Sequence, residues 1–435
     1  MYYSGVKNTG YTLSDQPFGI PGGEGTIYAI IGDDTRLAKI YHGNLKSFDS
    51  ENTRKEKIKQ LINMPQSENC KYLAWPEDAL VDINGNICGF VMKKFEDVKE
   101  LATIVSDNLN WKLRLTIAYN LCDVVQEVHD IGQCIGDMQP KNFGVNLSNG
   151  HVCAFDVDSF HLHLSNGQLF PCYVGLAEYY PPELQSMIRR GENMRTLNPE
   201  TTFSQKTDLF SLAILIFMLL FKGFHPYRGQ YISKIESSSL VTNAMSDILN
   251  NRSPYFNTTN NCIVNHKSPN LDIIPESMQI MFKKAFFGDP DERPTASEWK
   301  RELRTIINEL KCCRNGHFYY QNLKECPWCK LEKNKDDDVQ IDYNSNIDKK
   351  EKIKNKKTKT QNNLILKIFL IVAFLMHLSI LTIAIADDLF IYAYLHRGCG
   401  FLVLFIAQAI ILLCCLIILI ITSKGKKENN KEIYS

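Results

Sequence analysis

Apolar and polar positions along this chain change rhythm three times, and each rhythm predicts a different kind of element. In "TIYAIIGDDTRLAKIY", residues 26–41, two β-rich runs meet at "GDD", the signature of a hairpin. In "DSENTRKEKIKQLINM" the apolar positions Ile58, Leu61 and Ile62 fall at helical spacing, with Asp49 or Ser50 as N-cap. "ALVDINGNICGFVMKKF" predicts a second hairpin turning at Asn84-Gly85. "WKLRLTIAYNLCDVVQEVHDIG" is a strongly amphipathic helix. Leu113, Ile117, Leu121, Val124, Val125 and Val128 lie on one side, and Gly132 is its stop. "FGVNL" and "HVCAFDV" are short strands around "SNG", and from Pro181 the pattern is helical, with an Asn/Ser-rich loop near 241–270. The order predicts an α+β architecture: a small sheet carrying one helix, then a mostly helical lobe, with a cleft between them.

Three long apolar runs need separate treatment. "LFSLAILIFMLLF", Leu209 to Phe221, is too short to span a bilayer and ends at a Gly/Pro stop, so it predicts a fully buried helix. The runs 364–386 and 401–422 are each long enough to cross a hydrocarbon core of about 30 Å at about 1.5 Å per residue. Buried core helices are the competing explanation. Lysine clusters on both outer flanks, "KKEKIKNKKTKT" and "SKGKKENNK", and a short loop with one Arg and two Asp favour a transmembrane hairpin. The positive-inside rule then puts both termini in the cytoplasm of a multi-pass cell-membrane protein, with an external loop of about fourteen residues. Lys367 can snorkel, and His377 is either a helix–helix contact that would allow a homodimer or a tolerated polar residue.

Charge and cysteine content sharpen this. A formal net charge of +1 gives no global field toward nucleic acid. The N-terminus lacks the basic-then-apolar pattern of a signal peptide. Of the fourteen cysteines, seven are scattered between Cys70 and Cys262, and three lie in or beside the second apolar run. The other four cluster at Cys312, Cys313, Cys326 and Cys329, which predicts a reducing compartment with one metal site.

Candidate chemistry lies in the loops. "GIPGGEGTIYAI" places Gly22, Gly23 and Gly25 between two extended runs, where backbone N–H groups can approach phosphate; a plain glycine hairpin fits equally. Lys39 follows in a strand, and Glu56 in the next helix is spaced to pair with it. "CIGDMQPKNFGV" sets Asp137 five residues before Asn142, and "AFDVDSF" ends a strand on Asp156. In this order the motifs resemble a eukaryotic-type (Hanks-like) protein kinase domain over residues 15–308. "YYPPELQ" resembles the element that closes the activation segment, "KTDLFSLAILIFMLLFKGFHPY" the buried helix that opens on Asp208, and "DPDERPTASEW" the late element whose Arg293 would pair with Glu183. "FDVDSF" followed by "FPCYVGLAEYYPPELQ" resembles a bacterial subgroup that carries a zinc ribbon and membrane helices.

The resemblance implies a bilobal fold, with a small lobe of about 1–95 and a large lobe of about 96–308. It implies an ATP- and Mg²⁺-dependent enzyme acting on Ser/Thr hydroxyls of protein substrates. Lys39 would hold the nucleotide phosphates, steadied by Glu56. Asp137 would accept or orient the substrate hydroxyl, and Asn142 and Asp156 would ligate Mg²⁺. Adenine would sit near Met92 to Phe95. This chain departs from the family pattern at Ile20 (first loop glycine), Ile135-Gly136 (His-Arg), Gln139 (Lys) and Asp158 (Gly). Lys141 either replaces the missing lysine or is a surface charge. Asp158 either adds charge to the metal or caps a turn. Without the arginine, activity should not depend on phosphorylation of the activation segment. A pseudokinase acting as an ATP-binding scaffold, or a small-molecule kinase, is the rival reading.

Beyond the kinase-like region, Cys313-x3-His317-x8-Cys326-x2-Cys329 suits tetrahedral zinc in a small ribbon over 311–331, with Cys312 competing for the first position. Residues 332–362 are poor in apolar residues and should form a charged disordered linker whose lysine-rich end lies on anionic lipid.

Overall fold

The computed structural model describes residues 1–333, apart from 8–9, 44–52, 65–69, 191, 193, 196, 232–239, 242–243, 257–261 and 266. The chain divides into a unit Met1–Lys335 and a unit Asp336–Ser435, and the second lies outside the described residues. So do the two predicted membrane spans, the predicted caps Asp49 and Ser50, and the predicted linker beyond residue 333. Among the described residues no helix is long and apolar enough to cross a membrane.

Six strands build the first lobe: β1 (Tyr2–Gly5), β2 (Gly10–Pro17), β3 (Gly25–Ile30), β4 (Asp33–Tyr41), β5 (Pro76–Val81) and β6 (Ile87–Lys93). They close into a barrel in the order β1-β2-β3-β4-β6-β5. Both predicted hairpins are present, turning at Gly32 (φ 86°) and Gly85 (φ 77°). Closure comes from the N-terminal strand, which pairs with β2 along one edge and β5 along the other. The barrel interior holds Tyr11, Leu13, Ile30, Ala38, Leu80 and Val91, and Tyr11 donates its hydroxyl to the buried Asp78. Helix α1 (Thr53–Asn63) packs Ile58, Leu61 and Ile62 inward, as their spacing predicts.

The second lobe opens with β7 (Val98–Glu100), α2 (Leu101–Ile104) and α3 (Trp111–Asp130), then β8 (Phe143–Asn146) and β9 (Val152–Ala154). Asn110 caps α3 by accepting from the Leu113 N–H. Leu113 itself is half-buried; Arg114 and Leu115 take the buried positions, the arginine donating to the carbonyls of Val105 and Leu219. After two short strands, β10 (Leu162–His163) and β11 (Leu169–Phe170), come α4 (Pro182–Arg189) and α5 (Gln205–Leu220). Helix α5 is buried almost throughout, as its unbroken apolar run predicts, and a Ser204–Thr207 capping box starts it. Strands β12 (Gln230–Tyr231), β13 (Leu240–Val241) and β14 (Cys262–Ile263) and helix α6 (Ala244–Leu249) stand where a long loop was expected. Helices α7 (Glu276–Phe287) and α8 (Ala296–Asn308) complete the lobe.

The cysteine-rich segment is continuous with this lobe. Strands β15 (Leu310–Cys312) and β16 (Phe318–Tyr320) form a hairpin directly after α8. Its Tyr319, Cys326 and Trp328 belong to the main hydrophobic core. Trp328 lies 5.7 Å from Trp111 on α3, ring centre to ring centre, and Lys222 Nζ lies 4.6 Å from the Trp328 ring centre. Residues 332–333, predicted to open the linker, are helical.

Candidate active site

Backbone bonds join the lobes where the chemistry is expected. The Ala74 N–H donates to the Ala154 carbonyl, and the Ala154 N–H to Tyr72. Strand β9 is thereby fixed against the small lobe, and Asp156 follows at its end. The Phe155 N–H donates to the Asn142 carbonyl, tying that segment to the loop that carries Asp137.

The Asp137 loop is set from below by Asp208, at the buried start of α5. Its carboxylate accepts from the backbone N–H groups of Ile135 (2.7 Å) and Gly136 (2.9 Å), and pairs with His129 Nε2 at 3.1 Å. Gly136 has φ 78°, and a Cβ built there would lie 3.0 Å from Cys172 Cβ. A left-handed backbone with no room for a side chain explains why no arginine stands here. Asn142 Nδ2 donates to the Asp137 carbonyl (2.8 Å) and to its Oδ2 (3.1 Å). Gln139 Nε2 donates to both Asp137 carboxylate oxygens, at 2.9 and 2.7 Å. Burial raises the Asp137 carboxyl above its ordinary range, against the lowering effect of those two amides. Lys141 is exposed, so the residue that reaches Asp137 is Gln139.

Across the cleft, Lys39 on β4 reaches the other two acids. Its Nζ donates to Asp156 Oδ1 at 2.9 Å and to Asp158 Oδ1 and Oδ2 at 2.9 and 3.1 Å. Burial would lower the Lys39 ammonium, but Asp158 and then Asp156 outweigh it and raise it. Burial would likewise raise Asp158, but Lys39 holds it below the ordinary carboxylate range. Asp156 has φ 53°, a left-handed conformation that an aspartate tolerates better than most residues.

The expected pairing of Glu56 with Lys39 is absent. Glu56 accepts from Gln60 Nε2 at 2.8 Å and lies 3.5 Å from Lys59, on the outer side of α1. One turn position on, Lys57 faces inward and donates to the Phe160 carbonyl at 2.5 Å. Asp158 neither caps a turn with its side chain nor stands free for a metal: it is the buried partner of Lys39. Tyr41, which sequence reasoning did not single out, donates its hydroxyl to Asp158 Oδ2 at 2.9 Å. A signal was available, since Tyr41 lies two residues beyond Lys39 in a strand and so shares its face.

Gly22 and Gly23 lie in the β2–β3 loop, where an added Cβ at Gly23 meets nothing. Gly25 opens β3, and a Cβ there would fall 2.7 Å from the Ile40 carbonyl oxygen, so this glycine serves the sheet. Ile20 stands almost fully exposed in the same loop. Met92 is buried near the end of β6, where the chain turns toward the second lobe. Arg293 donates to Glu183 Oε1 at 2.7 Å and Oε2 at 2.9 Å, the pairing its motif implied.

At the other end of the lobe, one ligand atom each from Cys313, His317, Cys326 and Cys329 lies within 4.8 Å of the others, and the set could hold a metal ion. Cys313 Sγ and Cys329 Sγ are 3.7 Å apart, and His317 Nδ1 lies 3.4 Å from Cys329 Sγ. Zn–S bonds of about 2.3 Å imply a tetrahedral edge of about 3.8 Å, so the spacing fits that ion. The His317 Nε2 pairs with Glu332 at 3.3 Å, the outer carboxylate that fixes a ligating imidazole. Cys312 is exposed and its thiol turns to the Cys313 carbonyl, which leaves Cys313 as the cluster member.

No protein-family model matches the chain. It is 31% identical to the protein kinase YegI of Escherichia coli O157:H7 over 326 residues, covering 72% of this chain and 48% of that one. The YegI protein of strain K12 matches at the same identity, with 47% of its length covered. R436 of Acanthamoeba polyphaga mimivirus, whose name gives it provisionally as a serine/threonine-protein kinase, is 26% identical over 291 residues, 64% of this chain and 90% of that one. The chain thus spans about half the length of the bacterial relatives it matches. Over 72% of its length the chain is thus similar to proteins named as protein kinases.

Proposed function

We propose that the protein is an ATP-dependent kinase that transfers the γ-phosphate to Ser/Thr hydroxyls of protein substrates. The observation that carries this reading is that two hydrogen-bonded pairs, Lys39 with Asp156 and Asn142 with Asp137, are tied together by the bond from the Phe155 N–H to the Asn142 carbonyl. Asp137 holds the position from which a carboxylate orients the substrate hydroxyl and accepts its proton. The hydrogen bonds from Gln139 and Asn142 fix its rotamer, and Asp208 fixes the loop beneath it. Lys39 supplies a fixed positive charge for the nucleotide phosphates. Asn142 donates through Nδ2, which leaves its Oδ1, with Asp156, as the oxygen donors a Mg²⁺ ion prefers. Bound there, Mg²⁺ would neutralise charge on the phosphate oxygens.

The Cys313–His317–Cys326–Cys329 cluster is a structural zinc site on this reading, because all four positions are filled by protein ligands. The apolar runs 364–386 and 401–422, flanked by lysines, would tether the kinase to the cytoplasmic face of the cell membrane.

The test uses the full-length chain in detergent with radiolabelled ATP, Mg²⁺ and a mixture of candidate protein substrates. Label on Ser or Thr, lost in Asp156→Ala, is the expected result. No label on protein, with label on small molecules instead, would replace this reading with the small-molecule one.

A further inference from the structure

The carboxylate that steadies Lys39 does not come from helix α1. Three observations bear on where it does come from. The first is burial: the Asp158 side chain is 0% exposed, while that of Asp156 is 50% exposed. Of the hydrogen bonds Lys39 Nζ makes here, two go to the Asp158 carboxylate and one to Asp156. Asp156 therefore retains an open side toward the cleft, and Asp158 has none.

The second observation is support. Tyr41 Oη donates to Asp158 Oδ2 at 2.9 Å, and the Arg54 guanidinium lies close enough to favour its charged form. The rings of Phe90 and Tyr41 flank the ammonium at 5.7 and 5.8 Å. A buried ion pair is worth keeping only when its remaining hydrogen-bonding capacity is met, and here Tyr41 of the same strand meets it, with the Arg54 charge added from the start of α1. The third observation is that Glu56, the one acid within α1, faces elsewhere. Glu56 faces Gln60 and Lys59 with 41% of its side chain exposed, and α1 contacts this segment through Lys57 on the Phe160 carbonyl.

We propose that Asp158 is the residue that positions Lys39 for the nucleotide, in the role the family pattern gives to a helix glutamate. This deepens the ATP-dependent reading above and rests on it. Its consequence is a change of wiring. In protein kinases generally, the lysine is set by a helix and the metal by a separate loop, and moving the helix switches the enzyme. Here both acids belong to one turn, two residues apart. Lys39 is set by the segment that carries Asp156, and α1 bears on that segment through Arg54 and Lys57 instead of supplying the carboxylate itself.

The test measures the affinity of the full-length chain for trinitrophenyl-ATP, with and without Mg²⁺, alongside thermal unfolding. Asp158→Asn is expected to weaken binding about tenfold or more, the loss that follows when a hydrogen bond to a buried charge is removed. Glu56→Gln is expected to stay within about twofold, as for an exposed surface residue. In a Lys39→Met background, Asp158→Asn should change affinity by no more than about twofold, because its effect passes through the lysine. A merely structural role would still lower affinity in that background, and an unfolded variant would show in the melting curve. Equal losses in Glu56→Gln and Asp158→Asn, or full additivity with Lys39→Met, would overturn the proposal. Failure of the unsubstituted chain to bind the nucleotide at all would instead overturn the ATP-dependent reading, and the proposal with it.

Discussion

At the scale of single residues, Asp137 shows how a site can weigh against the fold that carries it. Burial raises its carboxyl above the value it has in an unfolded chain. Its contribution to stability is therefore present at low pH, below the unfolded pKa, and is lost as pH rises through the folded one. At pH 7 the ionised group is a burden. Asp137→Asn is expected to keep or raise the melting temperature at pH 7 while lowering phosphoryl transfer about 10²–10⁴-fold. Calorimetry and a transfer assay on the same preparation check both halves. Gly136 makes the opposite case. Its φ of 78° and the Cys172 Cβ 3.0 Å away leave no place for the arginine that usually precedes the catalytic aspartate. Gly136→Arg should cost about 2 kcal/mol or more in denaturant unfolding and should not make activity respond to phosphorylation of Ser159, Ser165 or Tyr173. A gain in phosphorylation-dependent activity would refute this.

Residue identities were legible to different depths. Arg293 and Glu183 were readable because each lies in a motif whose partner motif is known, and they meet within 2.9 Å. Glu56 was misread because spacing along a chain does not fix the rotation of a helix about its axis. Thr53–Asn63 buries Lys57, Ile58, Leu61 and Ile62, and that choice of inward face turns Glu56 outward. The role of Asp158 depends on a left-handed backbone at Asp156 and on a strand more than a hundred residues earlier, neither of which a local pattern shows.

Among the elements, the hairpins and α5 were the easiest to foresee, because alternation, Asn-Gly turns and an unbroken apolar run are local signals. The closing strand β1 was not foreseen: its sequence, "YYSG", is too short to show alternation, and its pairing with β5 joins positions far apart in the chain. The β15–β16 ribbon was foreseen as a metal site but not as part of the large lobe's core, since nothing in "CPWC" says where Trp328 packs. That packing makes a prediction. If the cluster holds zinc, the purified chain should contain one metal per polypeptide, and Cys329→Ser should remove it. Loss of the metal should also lower the unfolding midpoint of the lobe by several degrees, because the ribbon is anchored in its core. Metal analysis and scanning calorimetry check this together, and an unchanged midpoint after metal loss would show the ribbon to be energetically separate.

For the whole described region, two buried imidazoles add to the sensitivity to acid. Burial lowers His161 to about 4, helped by His163 and Lys57, and lowers His225 to about 3, helped by Arg228. Both are neutral in the fold, while in an unfolded chain they take up protons near pH 6.5. Stability from these two groups is full above that value and is lost as pH falls through the window down to about 4. Each contributes about 1.4 kcal/mol per pH unit there, so the pair steepens acid unfolding by about 3 kcal/mol per unit. His225→Gln should flatten the slope of unfolding free energy against pH between 6 and 4 by roughly half, measured in urea.

The contact between Trp111 and Trp328 has an optical side. The two indoles lie 5.7 Å apart with their planes inclined at 54°, and each ring N–H is held, by the carbonyls of Leu220 and Phe318. Two chromophores that close, tilted and fixed couple their transitions, and the chain has only four tryptophans to contribute. The pair should give a bisignate band in circular dichroism that disappears when the ribbon lets go of α3. The molecule thus carries its own unlabelled spectroscopic gauge of whether the cysteine-rich hairpin is seated.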